Sequence, residues 1–418
     1  MDVWVYPHAL SGTWCAPPSK SAAHRLLICS ALSDCSTSIL GLSSLSEDLL
    51  ATVSCLRKLG AEIEQLGNTL AVRPISRHSS FPTLFCGESG STLRFLLPIA
   101  HSLYPDVSFD CGERLRERPL LPLVEALKEH GVSFTGEQLP FCTSGHLQGG
   151  NFRIAANISS QFVSGLLMAL PLLHKDSILT LTTPLESAPY VEMTLDILRQ
   201  FGIAISYNGD CFFIKGNQQY HSPKVIGVEG DWSQAAFFLA AGAIGGTVTA
   251  DGLRTDTTQG DRIILDLLSR FGAKIVIAPS RIYADASTLS GGSVELSNCP
   301  DLLPALAVVA ANASDSTHFT HAGRLRLKES DRLATTAAMI RSLGGNAEET
   351  EDGLWVQGGG LKGGEVQGYQ DHRIVMAAAI AAAYCTEPVL IRGADAVNKS
   401  YPAFFRDFQQ LGGLVNVM

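Results

Sequence analysis

The chain is 418 residues long, 46% hydrophobic and 17% charged, with a formal charge of −9. One domain per roughly 150 residues predicts two or three domains, with core enough to dispense with disulfides and structural metals. The low charge content argues against disorder. The balance of 31 Lys and Arg against 40 Asp and Glu argues against a nucleic-acid partner, while local basic clusters leave room for a small anionic ligand.

The N-terminal MDVWVYPHAL has neither the basic stretch nor the continuous apolar run of an export signal. The longest apolar runs, Ala235 to Val248 and Ile374 to Tyr384, are 14 and 11 residues, too short for a bilayer. The ten cysteines never fall within three positions of one another, so no zinc site or CxxC redox pair is expected. The expectation is a cytoplasmic protein, off the membrane, with free thiols and no metal.

Along the chain two series of segments keep one period. Amphipathic helices running into a glycine and then a strand read LRKLGAEI, ALKEHGVSF, ILRQFGIAI, LLSRFGAKI, MIRSLGGNA and DFQQLGGLV. Their glycines, at 60, 131, 202, 272, 344 and 412, are 71, 71, 70, 72 and 68 apart, each where a left-handed helix C-cap is needed. In phase with them run apolar helices with polar openings, starting at 19, 90, 159, 231, 301 and 371. Two series in register predict six copies of one unit, each with two helices and three or four short strands. Helices apolar on most faces belong in the interior. Three units from residue 19 end near 228, and the last unit lacks about what residues 1–18 supply. The expected domains are therefore 18–227, and 228–418 completed by 1–17. The chain would then cross twice between domains, which implies closure over a ligand.

The polar openings carry the unusual residues. In chain order they are Lys20-Ser21 with His24 and Arg25; Gly87-Glu88-Ser89-Gly90-Ser91 with Arg94; Ser159-Ser160-Gln161; Asp231; Asp301; and Asp371-His372-Arg373. Helix N-termini suit anions, although serine and aspartate there serve equally as caps. Lysine and arginine in a first turn oppose the helix dipole and make sense beside a bound anion. Three basic runs lie in the connections: Arg114, Arg116 and Arg118; Arg324 through Lys328-Glu329 to Arg332; and Lys399. Each alone reads as a solvated face. Together, in phase with the helix openings, they point to substrates bearing phosphate and carboxylate groups. Asp301, Glu329, Lys20 and His372 are the acid–base candidates, with neighbouring cations able to lower the Lys20 pKa. Gly90 admits two readings: a turn that needs glycine, or a pocket wall that a side chain would fill.

The ordered motifs PPSKSAAHR, GESGSTLR, RLRERP, SSQF, SAPY, GDWSQAAF, PDLLPALAV, RLKESDR, YQDHR and NKSYP span the chain, which resembles the 5-enolpyruvylshikimate-3-phosphate synthase family of enolpyruvyl transferases. The resemblance implies an α/β fold of two similar inverse domains, each of three repeats, with the active site in the interdomain cleft. It implies transfer of the enolpyruvyl group of phosphoenolpyruvate to the 5-hydroxyl of shikimate 3-phosphate, without metal or organic cofactor, by a monomer. It assigns Lys20, Ser21, Arg25, Ser159, Ser160, Gln161, Ser187, Asp301 and Lys328 to shikimate 3-phosphate. Lys20, Gly90, Arg118, Gln161, Arg332, Arg373 and Lys399 go to phosphoenolpyruvate. Lys20, Asp301, Glu329 and His372 take the catalytic roles, Asp301 orienting and deprotonating the 5-hydroxyl. Glu88, Ser91, Arg324, His24 and Pro18 depart from the common pattern, and Glu88 is expected to need a cation such as Arg94 or Arg118. One alternative is the related transferase acting on UDP-N-acetylglucosamine, which has Lys-Asn at Lys20-Ser21 and a cysteine on the loop here reading RLRERP; Cys111, just before that loop, reads as a core thiol. The other is a non-catalytic anion-binding protein of the same fold.

Overall fold

A computed structural model describes residues 1–76, 81–279 and 281–418. The chain divides into two compact units, one of Lys20–Val228 and one of Met1–Ser19 with Glu229–Met418. Each has its own apolar core. Among the described residues no helix is long and apolar enough to cross a membrane.

Among the described residues, six four-stranded sheets repeat a single pairing pattern, one parallel pair followed by two antiparallel pairs. In the sheet around Asp106–Asp110, for example, Thr83–Phe85 pairs parallel, and Phe141–Ser144 and then Ser133–Phe134 follow antiparallel. The parallel pair is joined by an apolar helix, here Gly90–Leu103, because parallel neighbours need a crossover connection. The glycines that close the amphipathic helices, Gly60, Gly131, Gly202, Gly272, Gly344 and Gly412, all have left-handed φ between 78° and 102°. That is the conformation that turns each helix into its following strand.

The apolar helices are Lys20–Leu32, Gly90–Leu103 and Ser160–Ala169 in the Lys20–Val228 unit. Trp232–Gly245, Leu303–Ala311 and His372–Ala382 are their counterparts in the other. Every residue of the last two is buried. The Gly90–Leu103 and Ser160–Ala169 helices pack closely through Gly165, where a side chain would collide with the Arg94 carbonyl.

Two repeats exchange their first strands. Ser11–Cys15 precedes the Lys20–Leu32 helix, yet it pairs parallel with Thr247–Asp251. Val225–Gly227 precedes the Trp232–Gly245 helix, yet it pairs parallel with Thr37–Leu40. Val3–Tyr6 completes a further sheet, antiparallel to both Val389–Arg392 and Leu414–Val417. The three basic connections are not open loops. They form a short helix, Glu113–Arg116, and two 3-10 helices, Gly323–Leu327 and Ala394–Lys399.

Candidate active site

In the Lys20–Val228 unit, the openings of the three apolar helices gather serines, glutamine and arginines. Arg25 is 3% exposed. It donates to Thr194 Oγ1 at 2.7 Å, to the Ser21 carbonyl at 2.8 Å, to the Tyr190 carbonyl at 3.0 Å and to Ser164 Oγ at 3.4 Å. All of these acceptors are neutral, and Phe95 lies under the guanidinium at 5.0 Å. Burial pushes the Arg25 pKa down to about 10. A buried cation without a carboxylate is costly, and an incoming anion would offset that cost.

Ser159 caps the Ser160–Ala169 helix, accepting from the Gln161 amide at 3.3 Å. The cap and anion readings of this serine are compatible, because its hydroxyl proton remains to donate. Gln161 receives Arg94 Nη1 at 2.8 Å on its carbonyl oxygen and donates its amide to Ser91 Oγ at 2.9 Å. The Pro119 carbonyl takes Arg94 Nη2 at 3.0 Å. Ser160 and Ser187 are buried, and Ser187 enters the Ala188–Gln200 helix from a left-handed φ of 54°.

Gly90 has ordinary helical backbone. A Cβ built there stands 3.0 Å from the Arg118 and Arg94 guanidinium nitrogens. The turn reading of Gly90 therefore lacks a backbone basis, and the wall reading gains two named cations. Lys20 donates to Asp48 at 2.6 Å. The expected setting of cations alone is thus corrected, for a carboxylate from the Glu47–Lys58 helix sits on the ammonium. Glu88 is corrected as well. Its carboxylate accepts from the backbone amides of Leu115 at 2.9 Å and Arg114 at 3.3 Å, capping the Glu113–Arg116 helix. A Cβ at Gly112 would press on the tip of the Glu88 side chain, which would have to shift. His24 is buried against Thr52 at 2.7 Å, and burial lowers its pKa to about 3, so it is a neutral packing residue. Burial, against the pull of Arg116, pushes the Cys111 thiol up to about 11.

The other unit carries a dense ion network. Arg332, 2% exposed, donates from Nε to Asp371 at 2.8 Å, from Nη1 to Asp301 at 2.7 Å and from Nη2 to Glu329 at 2.6 Å. Arg373 reaches the Asp301 carboxylate at 3.3 Å and the Asp301 carbonyl at 3.1 Å, and Lys328 approaches that carboxylate at 3.4 Å. Burial pushes the Asp301 pKa up, but Arg373, Lys328 and Arg332 outweigh it and hold the group well below the usual carboxylate range. The Lys328 pKa is lowered as well, which for an amine favours the uncharged form. Burial lowers it to about 8, Asp301 opposing and Arg332 assisting. Asp371 caps the His372–Ala382 helix, accepting from the Arg373 amide at 3.0 Å and from Ser330 Oγ at 2.9 Å. His372 is buried with Nδ1 4.0 Å from Asp371. Lys399 is 8% exposed and, among the described residues, forms no ion pair with this network; its neighbour Ser400 accepts from Gln234 at 3.2 Å. Arg324 donates to the Ser297 carbonyl.

Asp261 and Ser233 went unseen in the sequence. Ser233 donates to Asp261, whose pKa is raised to about 6 by burial, then by the Asp301 charge, with Arg373 opposing. Asp48, Thr194 and Ser164 were missed for the same reason: each looks like an ordinary helix residue until its partner is known. Among the described residues no group of three or more His, Cys, Asp or Glu side chains could hold a metal ion.

The EPSP synthase (3-phosphoshikimate 1-carboxyvinyltransferase) family profile matches residues 6–408. A 3-phosphoshikimate 1-carboxyvinyltransferase of Clostridium kluyveri is 42% identical over 99% of this chain and 98% of that relative. The enzyme of the same name from Clostridium acetobutylicum is 43% identical, again over 99% of this chain and 98% of the relative. The solved EPSP synthase of Acinetobacter baumannii superposes with a TM-score of 0.82 at 26% identity, covering 100% of both chains. The enolpyruvyl transferase NikO of Streptomyces tendae, at 17% identity and a TM-score of 0.81 over 99% of this chain and 98% of that one, shares the fold. With its motifs, its repeats and these full-length matches in agreement, the chain belongs to the EPSP synthase (3-phosphoshikimate 1-carboxyvinyltransferase) family.

Proposed function

We propose that this enzyme transfers the enolpyruvyl group of phosphoenolpyruvate to the 5-hydroxyl of shikimate 3-phosphate and releases phosphate. The observation that carries the reading is the contrast of cation settings. Arg25 is buried among neutral acceptors, ready for an anion, while Asp301 is held ionised by three cations. The first suits a phosphate, and the second a hydroxyl that must be oriented.

In this reading Arg25, Ser159 and Ser160 hold the phosphate of shikimate 3-phosphate, with Ser21, Gln161, Ser187 and Lys328 around the rest of the molecule. Lys20, Arg118, Gln161, Arg332, Arg373 and Lys399 hold phosphoenolpyruvate, with Gly90 leaving room for it. A carboxylate held well below its usual range is a weak base, so Asp301 acts first as an oriented acceptor for the 5-hydroxyl. The proton departs as the new C–O bond forms and the hydroxyl becomes acidic, which confines the gain to the transition state.

The hydroxyl oxygen adds to the carbon bearing the phosphate, and a proton adds to the methylene carbon. The tetrahedral intermediate then loses a methyl proton and phosphate. Glu329 and Lys20 exchange these protons, each already oriented, by Arg332 at 2.6 Å and Asp48 at 2.6 Å. The fixed arginines stabilise charge as it moves onto the leaving phosphate. The proposal extends to a cytoplasmic monomer working without cofactor. A Cys111 thiol pushed up to about 11 does not suit a reactive cysteine, which speaks against the UDP-N-acetylglucosamine alternative.

The test is phosphate release from phosphoenolpyruvate by the metal-stripped enzyme, with either acceptor. Release with shikimate 3-phosphate alone is expected. Release with UDP-N-acetylglucosamine alone, or with neither, overturns the assignment.

A further inference from the structure

Away from the site, Cys35 and Lys224 form an unusual pair. Lys224 Nζ stands 2.6 Å from Cys35 Sγ. Sulfur is larger than oxygen, and even N–H···O bonds centre on about 2.9–3.0 Å, so this approach is too close for a hydrogen bond to sulfur. It is the span that one bridging oxygen atom sets between a nitrogen and a sulfur.

Both residues are pinned. Cys35 precedes the Thr37–Leu40 strand, and its Sγ lies 3.2 Å from Asp34 Oδ1. Asp34 accepts from the Ser222 amide at 3.0 Å and pairs with His221 at 2.8 Å. Lys224 has a left-handed φ of 67°, and its carbonyl accepts from the Ser38 amide at 2.8 Å. The two residues thus face each other across the start of the parallel pair of Thr37–Leu40 with Val225–Gly227. Cys35 is partly exposed, with the Lys224 ammonium on one side of its sulfur and the Asp34 carboxylate on the other, so peroxide can reach it. Cys15 and Cys142 are more exposed, but their Sγ atoms meet a backbone carbonyl at 3.9 Å and a serine hydroxyl at 3.8 Å.

We propose that Cys35 and Lys224 are a redox-modification site, joined under peroxide by a covalent N–O–S bridge from Lys224 Nζ to Cys35 Sγ. The Cys35 sulfur attacks one oxygen of a first hydrogen peroxide; the S–O bond forms, the O–O bond breaks, and water leaves with the thiol proton. A second peroxide oxidises Lys224 in its free-amine form, the minor form because the Cys35 contact raises the Lys224 pKa, to a hydroxylamine, again releasing water. The hydroxylamine oxygen then attacks the sulfenic sulfur, a new O–S bond forms, the old S–O bond breaks, and a third water departs. One thiol, one amine and two peroxides thus become one bridge and three waters. Sulfur and nitrogen together give up four electrons, and reduction by excess thiol reverses the change.

The bridge ties residues 189 positions apart and fastens the edge strand Val225–Gly227 to its neighbour. The full-length protein is treated with hydrogen peroxide, quenched, digested with trypsin and mapped by mass. The expected product joins the Cys35 and Lys224 peptides, gains one oxygen and loses two hydrogens, resists cleavage after Lys224, and disappears with dithiothreitol. It is absent in Cys35→Ser and Lys224→Arg, while Cys15 and Cys142 give no amine-linked product. The melting temperature of the oxidised wild type rises by several degrees and falls back on reduction, since a long loop has been closed. Loss of two hydrogens without added oxygen means a direct S–N bond and overturns the oxygen bridge. Cys35 found as sulfinic acid, in a disulfide or unmodified while Cys15 and Cys142 oxidise overturns the site.

Discussion

Arg25 and Arg332 are both buried, at 3% and 2% exposure, yet they live in opposite settings. Arg332 is surrounded by Asp301, Glu329 and Asp371, and these carboxylates already neutralise it. Arg25 has only hydroxyl and carbonyl oxygens. One unit therefore offers an anion cradle with its charge unspent. The other offers an ion network in which an anion, if it bound there as proposed, would compete with resident carboxylates. Burial of a cation is thus no guide to its role until its partners are known.

The most severe test removes a carboxylate from the network. Asp301→Ala should lower turnover by about 10²- to 10⁴-fold, as expected for a positioned acid–base group. Shikimate 3-phosphate should still bind, because the proposed arrangement puts its phosphate contacts on Arg25, Ser159 and Ser160. Calorimetry alongside steady-state kinetics separates the two, and near-normal turnover would remove Asp301 from the mechanism.

The comparison itself is put at risk by a matched pair of substitutions. Arg332→Met strands buried carboxylates and should destabilise the fold by about 3–5 kcal/mol. Arg25→Met strands no carboxylate and should cost far less in denaturant unfolding, while abolishing most affinity for shikimate 3-phosphate. Equal losses of stability would show that the two settings do not differ energetically.

A smaller effect is expected at Gly90. The Cβ of Gly90→Ala must push the Arg118 and Arg94 heads by a few tenths of an ångström, with no backbone strain to relieve. Overpacking of about 1–3 kcal/mol corresponds to roughly 5- to 150-fold in affinity, here read as the KM for phosphoenolpyruvate. The melting temperature should barely move; a large drop with unchanged KM would restore the turn reading.

The mildest test uses pH. Lys328 has its pKa lowered to about 8, and in the proposed arrangement the anionic substrate beside it would favour its protonated form. Affinity for shikimate 3-phosphate should be full below that value and fall as pH rises through it, by up to about tenfold per pH unit above it. Near pH 8, binding should take up a proton, visible as a buffer-dependent heat. Lys328→Met should bind more weakly and lose both effects; a flat wild-type profile would remove Lys328 from the contact.

Features set by short stretches of chain were legible. The six glycines declared themselves by period and all adopt the left-handed φ that a helix C-cap requires. The apolar helices were readable because a helix without a polar face must be buried. The polar openings were readable because helix ends concentrate charge and free amides. Tertiary structure alone decided the rest, since it depends on partners far away in sequence. The exchange of Ser11–Cys15 and Val225–Gly227 places each strand beside a neighbour more than 180 residues distant, and no local preference encodes that choice. Asp48 on Lys20, Glu88 on the Glu113–Arg116 helix and Asp261 beside Asp301 each look like a routine surface or cap residue in one dimension. Local sequence sets which backbone conformations and side-chain charges are present. The folded chain sets which charges share a low-dielectric neighbourhood, and that decides whether an arginine is neutralised by carboxylates, as Arg332 is, or faces neutral acceptors, as Arg25 does.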